Sequence, residues 1–490
     1  MYASVSSVAL KGVEPQPVGV EVFIGRPAST PMTIVGLPDT AVREARERVK
    51  AAILESGFRF PHGRVIVNLA PADLPKVGSA YDLPIAIGVL VAAGLVPPQA
   101  AGVVALGELA LDGTVRAARG GLGAGLVAKA AGLPAVLAPD SAAEAVRVDG
   151  ADVRAVGSLA EALGVILRGE PGQPIPVGGL SGQPTSELAE VRGQALGRRA
   201  LEIGAAGGHH LLMWGPPGSG KTMLSRSLPS LLPPLTPEES LEVAQIWAAG
   251  GRGTPSRERR PFRSPHHSAT PAALIGGGSG IPVPGEVSYA HHGVLFLDEV
   301  GEFPAQLLNH LRQPLEDGTV TIARKGISVR FPSRFQLVGA TNPCPCGYHG
   351  DLLVACECPP SAVAKYRRRL SGPLIDRFDV RVSVPRPERN ELLGAPGESS
   401  EVVATRVLTA RKRQVERGCI NRLLSRRRLD EMDWHQEARS LVDRAFDQLA
   451  LTARGYDRVR RVARTVADLD ESDSVGPRHM AEALGFRGTW

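Results

Sequence analysis

Eight consecutive residues, Gly215-Pro216-Pro217-Gly218-Ser219-Gly220-Lys221-Thr222, set three glycines, a lysine and a hydroxyl in the order Gly-x-x-x-x-Gly-Lys-Thr. Glycines let a loop curl its backbone N–H groups around an anion, the lysine adds a point charge, and the threonine offers a hydroxyl to a divalent cation. That is the chemistry of holding the β- and γ-phosphates of ATP together with Mg²⁺. A second constellation, Val294-Leu-Phe-Leu-Asp298-Glu299, ends an apolar run in two carboxylates. Asp298 suits the water shell of Mg²⁺ and Glu299 suits activation of an attacking water, so ATP hydrolysis is expected. A third apolar run, Phe335-Gln-Leu-Val-Gly-Ala-Thr-Asn342, ends in a polar side chain able to orient that water.

Such residues must be delivered by strands, with a helix starting at the lysine so that its positive end faces the phosphates. The runs Leu211-Leu-Met-Trp, Val294–Leu297 and Gln336–Thr341 are apolar enough for buried strands. They lie in a second α/β block, 187–385. Before it, residues 1–168 alternate strand-like runs such as Val65-Ile-Val-Asn-Leu with alanine-rich helical runs such as Ala41–Glu55, and predict an α/β domain. Gly, Pro and Ser crowd residues 169–186, which read as a linker. Residues 386–490 are helical in period and rich in arginine.

Several features resemble those of AAA+ ATPases. Asn342 resembles the first sensor residue, and Ser371-Gly-Pro-Leu-Ile-Asp-Arg377-Phe-Asp resembles the segment in which MCM helicases and magnesium-chelatase ATPases carry an arginine finger directed at a neighbouring subunit. Gly455-Tyr-Asp-Arg458-Val-Arg-Arg461 resembles the second sensor, with the choice of arginine left open. Val191-Arg-Gly-Gln194, Pro261-Phe-Arg-Ser-Pro-His-His267, Pro284-Gly-Glu-Val-Ser-Tyr-Ala-His-His-Gly-Val-Leu-Phe-Leu-Asp-Glu299 and Asn342-Pro-Cys-Pro-Cys-Gly347 resemble the YifB/ComM family of magnesium-chelatase-like AAA+ ATPases, and the likeness runs from near residue 1 to 490. It implies a homo-hexameric ring with a helical lid at 386–490, acting on single-stranded or branched DNA as a branch-migration helicase in natural transformation or recombination. The other function carried is a chelatase-type ATPase that remodels a metal-insertion partner.

The first domain resembles the fold of Lon-type proteases. Pro75-Lys-Val-Gly-Ser79-Ala fits the place of the Lon serine, but Gly123 stands where Lon has its lysine, and Lys129 lies six residues further on. A serine without a base within reach is no nucleophile, so protease activity is not expected. Gly318-Thr-Val-Thr-Ile-Ala-Arg324-Lys325-Gly-Ile-Ser-Val-Arg330 alternates like a hairpin around a basic turn, at the place where related helicases carry a pore hairpin. Residues 405–430 hold nine Lys/Arg against two acidic residues, but no interleaved aromatics for base stacking. The pairs His266-His267 and His291-His292 lack a cysteine or carboxylate at chelating spacing and read as polar loops.

Cys344-Pro-Cys346 and, nine residues on, Cys356-Glu-Cys358 could fill a closed tetrahedral Zn²⁺ site of structural type; four reduced loop cysteines are the other reading. Five cysteines in 490 residues exclude a disulfide scaffold and suit a reducing, cytoplasmic setting. The amino terminus lacks the pattern of a signal peptide. Leu83–Val96, the longest apolar stretch, is shorter than the roughly 18 residues of a membrane span and reads as a buried helix. The net charge of +6 rests on 48 arginines and only eight lysines, a weak argument for an anionic partner.

Overall fold

The computed structural model describes the chain except residues 27–31, 177–185, 279–281, 325–326, 352, 371, 449–450 and 489–490. Lys325 of the basic turn, residues 177–185 of the linker and Ser371 therefore lie outside the described residues. The chain divides into two compact units: residues 1–181 with 237–257 and 325–330, and residues 182–236, 258–324 and 331–490.

The first unit is built on a seven-stranded mixed sheet. Strands β1 (Tyr2–Lys11) and β2 (Glu14–Ile24) form a hairpin in which Lys11 faces Glu14, with Gly12 at φ 67 in the two-residue turn. With β3 (Met32–Val35), β4 (Val65–Ala70), β5 (Val104–Leu106), β6 (Ala135–Leu137) and β7 (Val153–Ala155), the order is β3-β4-β2-β1-β5-β6-β7. Helix α1 (Thr40–Glu55) starts where the Asp39 side chain accepts from the Val42 N–H, and buries Val42, Ala45, Val49, Ala52 and Ile53 at helical spacing. The long apolar stretch forms α2 (Asp82–Ala92), apolar on every side because it lies in the core, as expected from the sequence. Among the described residues no helix is long and apolar enough to cross a membrane. Helix α3 (Gly121–Ala131) follows the turn at Gly120.

The second unit opens with α4 (Ala195–Gly207) and β8 (Leu211–Trp214), whose chain runs through the glycine loop into α5 (Lys221–Leu231). The next helix, α6 (Pro237–Ala249), belongs with the first unit, where Ala244 and Ala248 bury against Leu122 and Val148. Strands β9 (Phe262–Arg263) and β10 (Val294–Leu297) follow; then helix α7 (Arg312–Asp317) leads into β11 (Thr319–Arg324) and β12 (Ile327–Pro332), a two-stranded sheet of its own in which residues 327–330 are counted with the first unit. With β13 (Gln336–Thr341) and β14 (Val380–Ser383), the main sheet is entirely parallel in the order β9-β10-β13-β8-β14. Its central strands β8, β10 and β13 are almost wholly buried because both faces are covered, and the apolar faces of α8 (Ser400–Glu416) and α10 (Ala453–Leu469) join the same core, beside α9 (Gln436–Gln448) and α11 (Pro477–Gly485). Fold class is thus α/β, with a helical carboxy-terminal region.

Candidate functional site

In a parallel sheet every strand ends at the same edge, so the three polar strand ends predicted from sequence are brought together there. Strands β10, β13 and β8 are consecutive neighbours, with Leu297 opposite Gly339 and Trp214 opposite Thr341. Asn342 thus leaves the sheet between the glycine loop and the Asp298-Glu299 pair.

The loop needs its glycines for two reasons. Gly218 (φ 74) and Gly220 (φ 93) take backbone conformations that L side chains rarely adopt, and a side chain at 215 would collide with the Val384 carbonyl. Gly220 caps α5, so the helix begins at Lys221 and its free N–H groups open toward the loop. Lys221 Nζ donates to the carbonyls of Gly215 and Pro216 at 2.8 Å each and lies 3.5 Å from Asn342 Oδ1. Burial pushes its pKa down to about 8, against the pull of Asp298 and Glu299. Thr222 Oγ1 donates to Asp298 Oδ2 at 3.0 Å, which unites the hydroxyl and the carboxylate suited to one Mg²⁺. These donors fit the ion: hard oxygens, two of them from protein, with room left for water and phosphate. Glu299 is exposed and left-handed (φ 49, ψ 47), a backbone state uncommon outside glycine.

One contributor carried no chemical signal in the sequence. Gln194 is buried and left-handed (φ 55), and its Nε2 donates to the carbonyls of Ser219 (3.0 Å) and Pro385 (2.6 Å). It ties the phosphate loop to the segment after β14. Its only trace in the sequence is the Val-Arg-Gly-Gln motif.

The arginines sit elsewhere. Arg377 and Asp379 precede β14, and His209 and His210 precede β8, so these residues occupy the edge where the strands begin. Four residues of strand separate that edge from the glycine loop, roughly 13 Å at about 3.3 Å per residue. A cavity of about 340 Å³ opens there, lined by Arg377, Arg422, Arg454, Arg458 and Arg461 together with Asp379, Asp457 and Glu316. Asp379 is its buried anchor: it accepts from the His210 N–H at 3.1 Å and lies 3.6 Å from Arg458 Nε. Burial alone would raise its pKa, but His209 and Arg458 hold it well below the usual carboxylate range. Arg377 pairs with Glu316 of α7. Three buried atoms of these arginines, Arg377 Nε, Arg422 Nε and Arg458 Nη1, have no hydrogen-bond partner among the described residues. Arg377 and Arg458 are thus brought to each other and not to Lys221 of their own chain.

The four cysteines converge. Their sulfurs all lie within 4.8 Å of one another, with Cys344 to Cys346 at 3.3 Å, Cys344 to Cys356 at 3.7 Å and Cys346 to Cys356 at 3.6 Å. The predicted hairpin is present as β11 and β12, with Arg324 exposed at the end of β11. The basic stretch 405–430 is largely engaged within its own unit: Arg406 pairs with Glu202 and Glu398, Arg411 donates to the Ala205 carbonyl, and Arg413 and Arg417 pair with Asp468. In the first unit the Ser79 hydroxyl donates to Glu108, Lys76 Nζ donates to the Pro71 carbonyl, and Lys129 is exposed. A Cβ at Gly123 would already press on Leu10 and Pro15 at 3.1 and 3.2 Å, so this position packs closely against the β1–β2 hairpin.

Family models described as subunit ChlI of Mg-chelatase, magnesium chelatase subunit ChlI, and its C-terminal region match residues 20–142, 187–392 and 397–487 respectively. The chain is 41% identical over 498 residues to YifB of Salmonella typhimurium, spanning 99% of this chain and 97% of that protein. It is 40% identical over 501 residues to the competence protein ComM of Haemophilus influenzae, spanning 99% and 97%. The 67 kDa magnesium-chelatase subunit of Heliobacterium mobile is 30% identical over 198 residues, 34% of this chain and 30% of that protein.

Proposed function

The chain belongs to the YifB/ComM family of magnesium-chelatase-like AAA+ ATPases, and on that premise we propose that it assembles as a homo-hexameric ring whose ATP hydrolysis moves single-stranded or branched DNA, as a branch-migration helicase or translocase in natural transformation or recombination. The observation that carries the ring is the separation of charges. Lys221, Thr222, Asp298, Glu299 and Asn342 gather at one edge of the sheet, while Arg377 and Arg458 wait with unpartnered guanidinium atoms at the other. A second copy would bring the latter edge to the nucleotide of the first and complete the site.

In that arrangement Thr222 and Asp298 hold Mg²⁺, which neutralises phosphate charge when bound. Gly218, Gly220, Lys221 and Thr222 donate backbone N–H groups to the phosphates, and the Lys221 ammonium lies against the terminal ones. Glu299 takes the proton of the attacking water and Asn342 orients that water. Arg377 of the neighbouring copy, with Arg458 beside it, stabilises the charge that develops on the transferred phosphoryl group. To reach it, Arg377 exchanges Glu316 for phosphate. The Arg324-Lys325 turn would grip DNA phosphates without reading sequence.

The DNA reading is preferred to remodelling of a metal-insertion partner because likeness to a competence protein runs the full length, against a third of the chain for the chelatase subunit. We further read residues 1–168 as a Lon-like domain without proteolytic activity, 386–490 as the lid, the cytoplasm as the setting, and the four cysteines as ligands of one structural Zn²⁺. Measuring whether forked or three-stranded DNA raises ATP turnover tests the main reading. Stimulation is expected, and turnover indifferent to every DNA structure would favour the chelatase-type role.

A further inference from the structure

The segment that carries the four cysteines meets the candidate nucleotide site at three places. Cys344 follows Asn342 by two residues and is buried. Gly347, in the turn closed by its N–H to the Cys344 carbonyl at 3.0 Å, is left-handed (φ 88), and a Cβ there would lie 2.6 Å from Cδ of Pro217 in the phosphate loop and 3.8 Å from Cγ of Asn342. Beyond Cys358 the chain enters the helix Pro360–Arg369. Its Tyr366 hydroxyl lies 3.4 Å from Thr341 Oγ1, and its Arg369 donates to the Gly301 carbonyl (3.2 Å) and Glu302 (3.0 Å), just beyond Glu299. The segment from Asn342 to Arg369 therefore reaches the phosphate loop, the sensor strand and the turn after the acidic pair.

What fixes the middle of that segment is the sulfur cluster. Zinc–thiolate bonds of about 2.3 Å put the sulfurs of a regular tetrahedron about 3.8 Å apart. The three measured separations, 3.3 to 3.7 Å, are close to that and far from a disulfide bond of about 2.05 Å. Backbone N–H groups of Cys346 and His349 donate to the sulfurs of Cys358 (3.4 Å) and Cys344 (3.3 Å), the outer hydrogen bonds that orient metal-binding thiolates. We infer that the Cys344-Cys346-Cys356-Cys358 centre, closed on Zn²⁺, is a clamp that holds the phosphate loop and Asn342 in register, so that metal occupancy and nucleotide binding are coupled. This rests on the zinc reading given above and adds a function to it. Without the metal, the Gly347 turn loses the cross-link to the Cys356-Cys358 arm, and Pro217 loses a fixed surface.

The test uses the full-length chain. Purified under reducing conditions, it should retain about one zinc per chain; protein without zinc would end both readings. Coupling is reciprocal, so stripping the metal and removing the chelator should weaken binding of fluorescent ADP with Mg²⁺ by roughly tenfold, within the usual 5- to 150-fold span of coupled sites, and Zn²⁺ should restore it. Unchanged affinity in folded, zinc-free protein would overturn the clamp while leaving the zinc site standing. Because removing a cysteine also removes a structural tie, two further measurements keep all four ligands. Co²⁺ in place of Zn²⁺ should show thiolate–metal absorption bands that shift when ADP binds, whereas bands indifferent to nucleotide would count against the clamp. Gly347→Ala should keep zinc and lose ADP affinity several-fold, and normal affinity in that variant would remove Gly347 as the point of contact.

Discussion

The two edges of the parallel sheet differ in charge and in what satisfies them. Where the strands end, one buried lysine faces two carboxylates, and its ammonium is met by loop carbonyls at 2.8 Å. Where they begin, five arginines line a cavity around the buried Asp379, and three of their nitrogens have no hydrogen-bond partner among the described residues. Buried donors left unpaired cost free energy, and in the proposed ring these guanidinium groups are the ones that would receive an anion. In that ring the anion would be the nucleotide carried by the other edge of a second copy. On the proposed reading, each chain holds two unlike half-sites, one for binding nucleotide and one for promoting its hydrolysis in a neighbour.

The largest expected effect comes from the arginine edge. Arg377→Ala should lower turnover by about 10³-fold or more, the scale of an arginine finger, while an isolated subunit still binds nucleotide. Glu299→Gln, at the opposite edge, should bind ATP and lower turnover by roughly 10²- to 10⁴-fold, since the general base is lost and the Mg²⁺ carboxylate of Asp298 is kept. Mixing the two variants sharpens the contrast, because a mixed ring contains some interfaces with Glu299 from one chain and Arg377 from the next. Partial recovery is expected; if assembly is proven and none appears, the two edges do not share one site.

Alanine at both Arg324 and Lys325 should leave basal ATP hydrolysis intact and abolish its stimulation by DNA. Binding should become less sensitive to salt, because each lost phosphate contact removes close to one released counterion from the slope. An unchanged salt slope with unchanged stimulation would separate the hairpin from DNA. The smallest effect concerns Lys221. Its pKa in the free protein is about 8, and phosphates favour the charged form, so binding takes up protons above that pH. Nucleotide affinity should therefore fall as pH rises from 8 toward the pKa of the bound form, by at most about tenfold per unit. Calorimetric titration in two buffers of different ionisation heat reads the proton uptake directly. No proton uptake there would mean that Lys221 is already fully charged in the free protein.

The Gly-rich loop, the Asp-Glu pair and Asn342 were legible because each is a contiguous signal: apolar strand first, polar residue last. Parallel pairing then had to bring the three ends to one edge, and it did. The buried helix α2 (Asp82–Ala92), within the apolar stretch read at 83–96, was legible for the same local reason. Arg377 and Arg458 were legible as cations, but sequence could not say that a buried aspartate would seat Arg458 about one strand length away from the glycine loop. The basic run 405–430 shows the reverse, since charge density alone could not reveal that Arg406, Arg413 and Arg417 are paired with acidic residues up to 204 positions away.

By itself the sequence marked the residues proposed for nucleotide chemistry, the elements that carry them and the family, because these depend on spacing within a few residues. Tertiary structure decided which edge each charge occupies, the two hydrogen bonds by which Gln194 holds the phosphate loop, and the meeting of Gly347 with Pro217. Those pairings join residues 25 to 191 positions apart, across separations where local propensity carries no information and packing of the whole sheet sets the distance.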